Sequence, residues 1–210
     1  KGFDDWQLAL RRENQRRKEI DRLSFKTQYL YGLCELAHIE DCIELWQHLA
    51  ENKTCLTEYL GLTREEHETF LRQGRDALGA LLEPQRRKQR FVLYQLELDE
   101  QKAIPFAFKE LAALQKAGYE QPPAAMYRMV GAGEVYCPVE QSDAGILKRL
   151  FADCREELPE GCHGRPMALS DVVELDHSPR RVYYYVNGEH EFPQVKFSPM
   201  LAKKDIKEGT

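Results

Sequence analysis

Long apolar runs are missing from this chain of 210 residues. Its longest apolar stretches, such as 77–82 and 182–186, fall far below the roughly 18 residues that a membrane-spanning helix needs. No basic, apolar and small-residue leader opens the sequence, so nothing points to secretion, and the expected location is the cytoplasm. The sequence starts at Lys1 rather than at a methionine, which reads as either a trimmed chain or a piece of something longer. Excess positive charge is missing as well. The 30 Lys and Arg residues against 35 Asp and Glu leave −5, which disfavours a general nucleic-acid coat or a binder of anionic membranes. The chain also lacks a Gly-rich phosphate loop, a G-x-S-x-G elbow, an H-E-x-x-H pair and any internal repeat. What it has is 42% hydrophobic and 31% charged residues, a globular composition with room for one large domain or two small ones.

The charge is unevenly placed. Arg11, Arg12, Arg16, Arg17, Lys18 and Arg22 stand against Glu13, Glu19 and Asp21 in residues 11–22. A second basic knot is Arg86, Arg87, Lys88 and Arg90. Residues 24–83 between them carry five basic and eleven acidic side chains, so two basic segments bracket an acidic block. Six cysteines invite a disulfide or metal reading. A chain of this size builds a core without staples, however. Cys34 and Cys42 are i and i+8, roughly 12 Å apart along a helix, too far for both sulfurs to reach one zinc. They read as small buried residues, Cys162-His163 has no zinc spacing, and no cofactor or metal is expected.

Residues 1–85 read as an all-helical domain. Helical spacing covers residues 3–23, then 25–50, with a parallel row of Leu30, Ala37, Leu45 and Leu49 widening the apolar face. A short helix over 54–60 stops at Gly61, and Thr63 with Glu66 makes a capping box that opens a helix running to Pro84. Residues 86–90 read as a basic linker. The period then changes to two, and residues 91–200 read as an α+β domain with a mainly antiparallel sheet, followed by a flexible tail at 201–210. Strands are expected at 90–98, 126–130 and 168–175, a helix after Pro105, and another capped by Ser142. Asn187-Gly188 asks for a two-residue hairpin joining 181–186 to 189–195. That register sets Tyr183, Tyr185, His190 and Phe192 on one face.

Several constellations bear on chemistry. The helix, glycine turn and helix at 54–71 has a DNA-reading rhythm, but Glu65, Glu66 and Glu68 stand where phosphates would lie. Asp171, Asp176 with His177, and His190 are the acid–base candidates for a hydrolase or nuclease. Asp176-His177 falls in a turn, where such side chains bond their own backbone. The aromatic hairpin face with Arg180, Arg181, Tyr183, Tyr185 and His190 is either core or a partner-binding surface.

Residues 91–98, Leu114-Gln115-Lys116-Ala117-Gly118, Tyr127-Arg128-Met129-Val130, the run from Gly164-Arg165-Pro166 through Leu169-Ser170-Asp171-Val172-Val173-Glu174-Leu175, and Tyr184-Tyr185-Val186 follow in that order. Together, over 90–197, they resemble the YodL-like domain of proteins from Gram-positive mobile elements. The resemblance implies context more than chemistry: an accessory protein that helps an element establish itself or binds host factors. No active site comes with it. Ser170 and Asp171 match the motif, and their local role is to fix a turn through side-chain-to-backbone bonds.

The leading expectation is a non-enzymatic module for a protein partner, using Arg180, Arg181, Tyr183, Tyr185 and His190. The alternative is nucleic-acid binding through Arg11, Arg12, Arg16, Arg17, Lys18, Arg86, Arg87 and Lys88. The unrecognised hydrolase is third, no membrane is involved, and the oligomeric state is open.

Overall fold

The structure, a computed structural model, describes residues 11, 14–49 and 54–204. The chain divides into two compact units: residues 1–87 with 136–139, and residues 88–135 with 140–210. The fold is α+β, helices first and then a five-stranded sheet with helices. No helix among the described residues is long and apolar enough to cross a membrane.

In the first unit, residues 14–21 are helical. They are followed by α1 (Phe25–Leu30), α2 (His38–His48), α3 (Leu56–Leu60), α4 (Arg64–Gln73) and α5 (Arg75–Leu82). Phe25, Ile39, Leu60, Leu78 and Leu82 lie in one buried cluster. Both bonds of the Thr63–Glu66 capping box are present, and Gly61 closes α3 at φ 72°. Glu66 does more than cap: it also accepts from Lys26 Nζ and Gln85 Nε2, each at 2.7 Å.

Two expected helices are each broken in two by glycine. The pattern over 25–50 splits at Gly32, whose φ is 65° and whose missing Cβ makes room for the Tyr136 ring. The pattern after Thr63 splits at Gly74, at φ 86°, which shifts the phase of the apolar stripe and leaves Leu71 exposed. The widened face on α2 is likewise not buried, since Leu45 and Leu49 face solvent.

Residues 86–90 are not a linker. They open the strand β1 (Arg86–Leu96), because Gln89 is buried between exposed Lys88 and Arg90 and the period of two starts there. The Gln89 amide donates to the Asp176 carbonyl at 2.8 Å, while Lys88 and Arg90 lie 3.7 and 3.9 Å from Glu134.

After β1 come α6 (Leu111–Lys116), β2 (Tyr127–Pro138), α7 (Asp143–Cys154), β3 (Val172–His177), β4 (Arg180–Tyr185) and β5 (Gln194–Val195). The sheet order is β2-β1-β3-β4-β5, with β1–β3, β3–β4 and β4–β5 antiparallel. Tyr94, Val172 and Tyr185 are aligned across three strands and join a core with Tyr127, Val195 and Phe197. Leu93, Val173 and Tyr184 take the opposite face. There α7, capped by Ser142 as expected, buries Ile146, Leu147, Leu150, Phe151 and Cys154.

Four readings of this half are corrected. The helix after Pro105 is a 3-10 turn (Ile104–Phe106) followed by the short α6, because Phe108 takes a left-handed backbone at φ 58°. The strand at 126–130 runs on to Pro138. The Asn187-Gly188 hairpin is wider than two residues: Tyr183 pairs with Val195, not Phe192. The Asn187 side chain is instead spent on α6, accepting the Leu111 N–H at 2.7 Å, and Pro193 has no N–H for a ladder. The tail is partly held, with Lys203 donating to the Tyr127 carbonyl and accepting from the Met129 N–H; residues 205–210 lie outside the described residues.

Candidate functional site

The Leu169-Ser170-Asp171 segment runs into β3 and carries the most concentrated polar network of the second unit. Asp171 is fully buried and accepts from Arg165 Nη2 at 2.5 Å, Arg165 Nη1 at 3.2 Å, Gln95 Nε2 at 3.0 Å and the Ala168 N–H at 3.0 Å. Burial pushes its carboxyl up to about 6, against the downward pull of Arg165, Ala168 and Gln95. Gln95 also bonds the Arg165 backbone twice, as donor to its carbonyl and acceptor of its N–H. The Arg165 guanidinium lies 4.7 Å from the centroid of the half-exposed Phe108 ring, and its Nε is buried without a hydrogen-bond partner. Ser170 holds φ 77° and accepts the Phe108 N–H at 3.1 Å. Tyr127 Oη donates to the Ser170 carbonyl and Tyr185 Oη to that of Lys109. The Asp171 carboxylate, the Ser170 hydroxyl and both phenols thus each bond within the protein.

Two further clusters lie on the sheet. Buried Glu174 accepts from Tyr94 Oη at 2.9 Å and has Arg181 Nε at 3.4 Å; burial lifts the Tyr183 phenol beside it to about 12. On the other face, Asp143 at the start of α7 accepts from Tyr184 Oη at 2.6 Å and bonds His177 Nε2 at 3.0 Å.

An open surface lies at the β5 edge. A cleft of about 510 Å³ runs between residues 118–124 and 196–201, with Tyr119, Pro122, Phe197 and Leu201 among its walls. Leu201 of the cleft wall is 64% exposed, and its chain neighbour Met200 is 91% exposed, so the two present apolar surface to solvent. Gln121 Oε1 accepts the Lys196 N–H at 2.7 Å across the cleft floor.

The profile of the YodL-like domain matches residues 90–197, more than half of the chain. The chain belongs to the YodL-like domain family. Comparison with curated proteins and with solved structures finds no match. In the YodL-like domain the matched segment takes in β1 from Arg90 through β5, including both the Asp171 network and the edge strand.

The residues singled out by sequence are not gathered in one place. The aromatic face of β4 belongs to the core: Tyr185 is fully buried and Tyr183 packs on Phe197 at 5.6 Å between ring centroids. Arg180, Arg181 and His190 are exposed, and Phe192 packs on Phe151 instead. Of the acid–base candidates, Asp171 is held by Arg165, Asp176 accepts the Ser178 N–H within its own turn, and His177 faces Asp143. Arg11, Arg16, Arg17 and Lys18 are exposed on helix, and Arg12 lies outside the described residues. Arg86 is no free charge: its guanidinium lies over the rings of Tyr29 and Tyr136 at 4.1 and 4.4 Å and bonds Glu83. Arg87 is half-buried in β1 beside exposed Lys88. Burial raises the Cys34 thiol to about 11, which keeps it protonated.

Sequence reading missed Gln95, Arg165 and Asp143 as partners, since each meets its carboxylate or histidine across long sequence separations or a loop. It also passed over the cleft. The signals there were Pro122-Pro123 and the Pro199-Met200-Leu201 run.

Proposed function

We propose that this YodL-like protein is a non-enzymatic interaction module that binds a protein partner in the cytoplasm, as an accessory of a mobile element. The observation that carries the reading is the pair of exposed apolar side chains Met200 and Leu201, the second of them a wall of an aromatic and proline-lined cleft. The dispersal of the acid–base candidates among separate internal partners supports it. A native pull-down from a host extract tests it: a stoichiometric partner is expected, lost when Met200 and Leu201 both become glutamate. Recovery of no stoichiometric partner would overturn it.

Nucleic-acid binding is the second reading, carried by Arg16, Arg17 and Lys18 exposed along residues 14–21. It requires affinity for a duplex that falls steeply with salt and with glutamine at those three positions. Arg86 does not enter it, because that side chain is built into the helical unit.

A further inference from the structure

Resting on the interaction reading, we propose that the outer edge of β5 and its adjoining cleft form a strand-addition site for an extended partner peptide with alternating aliphatic and acidic side chains. The register supplies the backbone half of the site. Tyr183 pairs with Val195 and the Tyr185 N–H reaches the Pro193 carbonyl, so Gln194 and Lys196 turn their N–H and C=O groups away from β4. β5 is the end strand of the sheet, and such an edge is a template for a further strand. The Lys196 N–H is met by the Gln121 side-chain carbonyl, in the position that a neighbouring strand's carbonyl would take. Gln121 thus acts as a placeholder that an incoming backbone can replace. The opposite edge is differently furnished, since backbone from His163 and Lys203 already bonds β2 at Tyr127, Met129 and Val130.

The cleft supplies the side-chain half. Successive residues of an added strand point to opposite sides, so every second side chain would enter the same groove. Tyr119, Pro122, Phe197 and Leu201 offer it an apolar wall. Charge selects the residues between. Lys196 stands exposed at the edge itself, while Glu120 is the one acid named among the cleft walls. An acidic side chain set opposite Lys196 on the added strand answers its charge.

The test is selection of a displayed random-peptide library on the full chain, followed by fluorescence anisotropy of the most enriched peptide at low salt. The expected sequences alternate aliphatic with acidic residues. Gln194→Pro removes an outward N–H at a position where an edge strand tolerates proline, and Leu201→Glu charges the groove. Each is expected to weaken binding about tenfold with the unfolding midpoint unchanged. No alternating sequence enriched, or equal affinity for parent and Gln194→Pro, overturns the proposal. A partner recovered equally by parent and Gln194→Pro leaves the interaction reading standing and the edge site refuted. No partner recovered by either chain refutes the interaction reading itself.

Discussion

Phe108 donates its backbone N–H to Ser170 Oγ across 3.1 Å, and both residues hold a left-handed backbone without being glycine. Each such conformation costs on the order of 1 kcal/mol, so the pair persists only because its surroundings over-determine it. The compensation is visible: the Ser170 hydroxyl satisfies Phe108, Tyr127 satisfies the Ser170 carbonyl, and the Phe108 ring covers Arg165. Ser170→Ala keeps the strained backbone and loses the bond, with an expected cost of about 1–2 kcal/mol in urea unfolding. Ser170→Gly loses the same bond but relieves the strain, so it should cost less than the alanine variant. The reverse order would show that the backbone is not strained there.

Asp171→Ala should be the most damaging single change in the YodL-like domain. It strips the acceptor from Arg165, Gln95 and the Ala168 N–H together, and an uncompensated buried partner of this kind costs about 3–5 kcal/mol. Chemical denaturation measures it. A loss below about 1 kcal/mol, typical of an exposed pair, would mean that the network is not closed to water.

Glu66 gives the helical unit its acid sensitivity. Burial alone would raise its carboxyl, but hydrogen bonds from Gln85, Lys26 and Thr63 outweigh burial and hold it below the usual value of 4.5. A lowered folded-state value means that the stabilisation is complete above about 4.5 and is lost as pH falls through the folded value. Glu66→Gln should therefore flatten the acid limb of the stability profile of this unit, read by circular dichroism against pH, while lowering stability at neutral pH. An unchanged acid limb would place the sensitivity elsewhere.

Arg86→Gln is expected to destabilise the helical unit by about 1–3 kcal/mol, since it removes two cation–π contacts and the bonds to Glu83 and the Tyr29 carbonyl. Thermal unfolding checks it. If stability is unchanged and only a polyanion interaction is lost, Arg86 serves a ligand rather than the fold.

Signals that act within a few residues were legible in the sequence. Thr63 with Glu66 and Ser142 before α7 stand as the spacing predicts. Misreadings arose where a distant group claimed a local signal. Asn187 carries the strongest hairpin cue in the chain, yet its side chain goes to the α6 amide of Leu111. Gly32 interrupts a continuous helical period because the Tyr136 ring needs its space. The basic run at 86–90 looks like a linker until Gln89 finds the Asp176 carbonyl. The cleft was least legible of all, because it is made by two loops that only folding brings together.

The central pairing of the sheet also governs the order in which the protein can be assembled on the ribosome. Tyr94 and its buried partner Glu174 are 80 residues apart, and β1 has no inner neighbour until Val172–His177 has been made. The helices before residue 83 close through nearer contacts and can fold early, whereas β1 must wait with one flank unpaired during synthesis. Translation speed through the region between Leu96 and Val172 therefore sets how long that flank stands open to chaperones or to a second nascent chain.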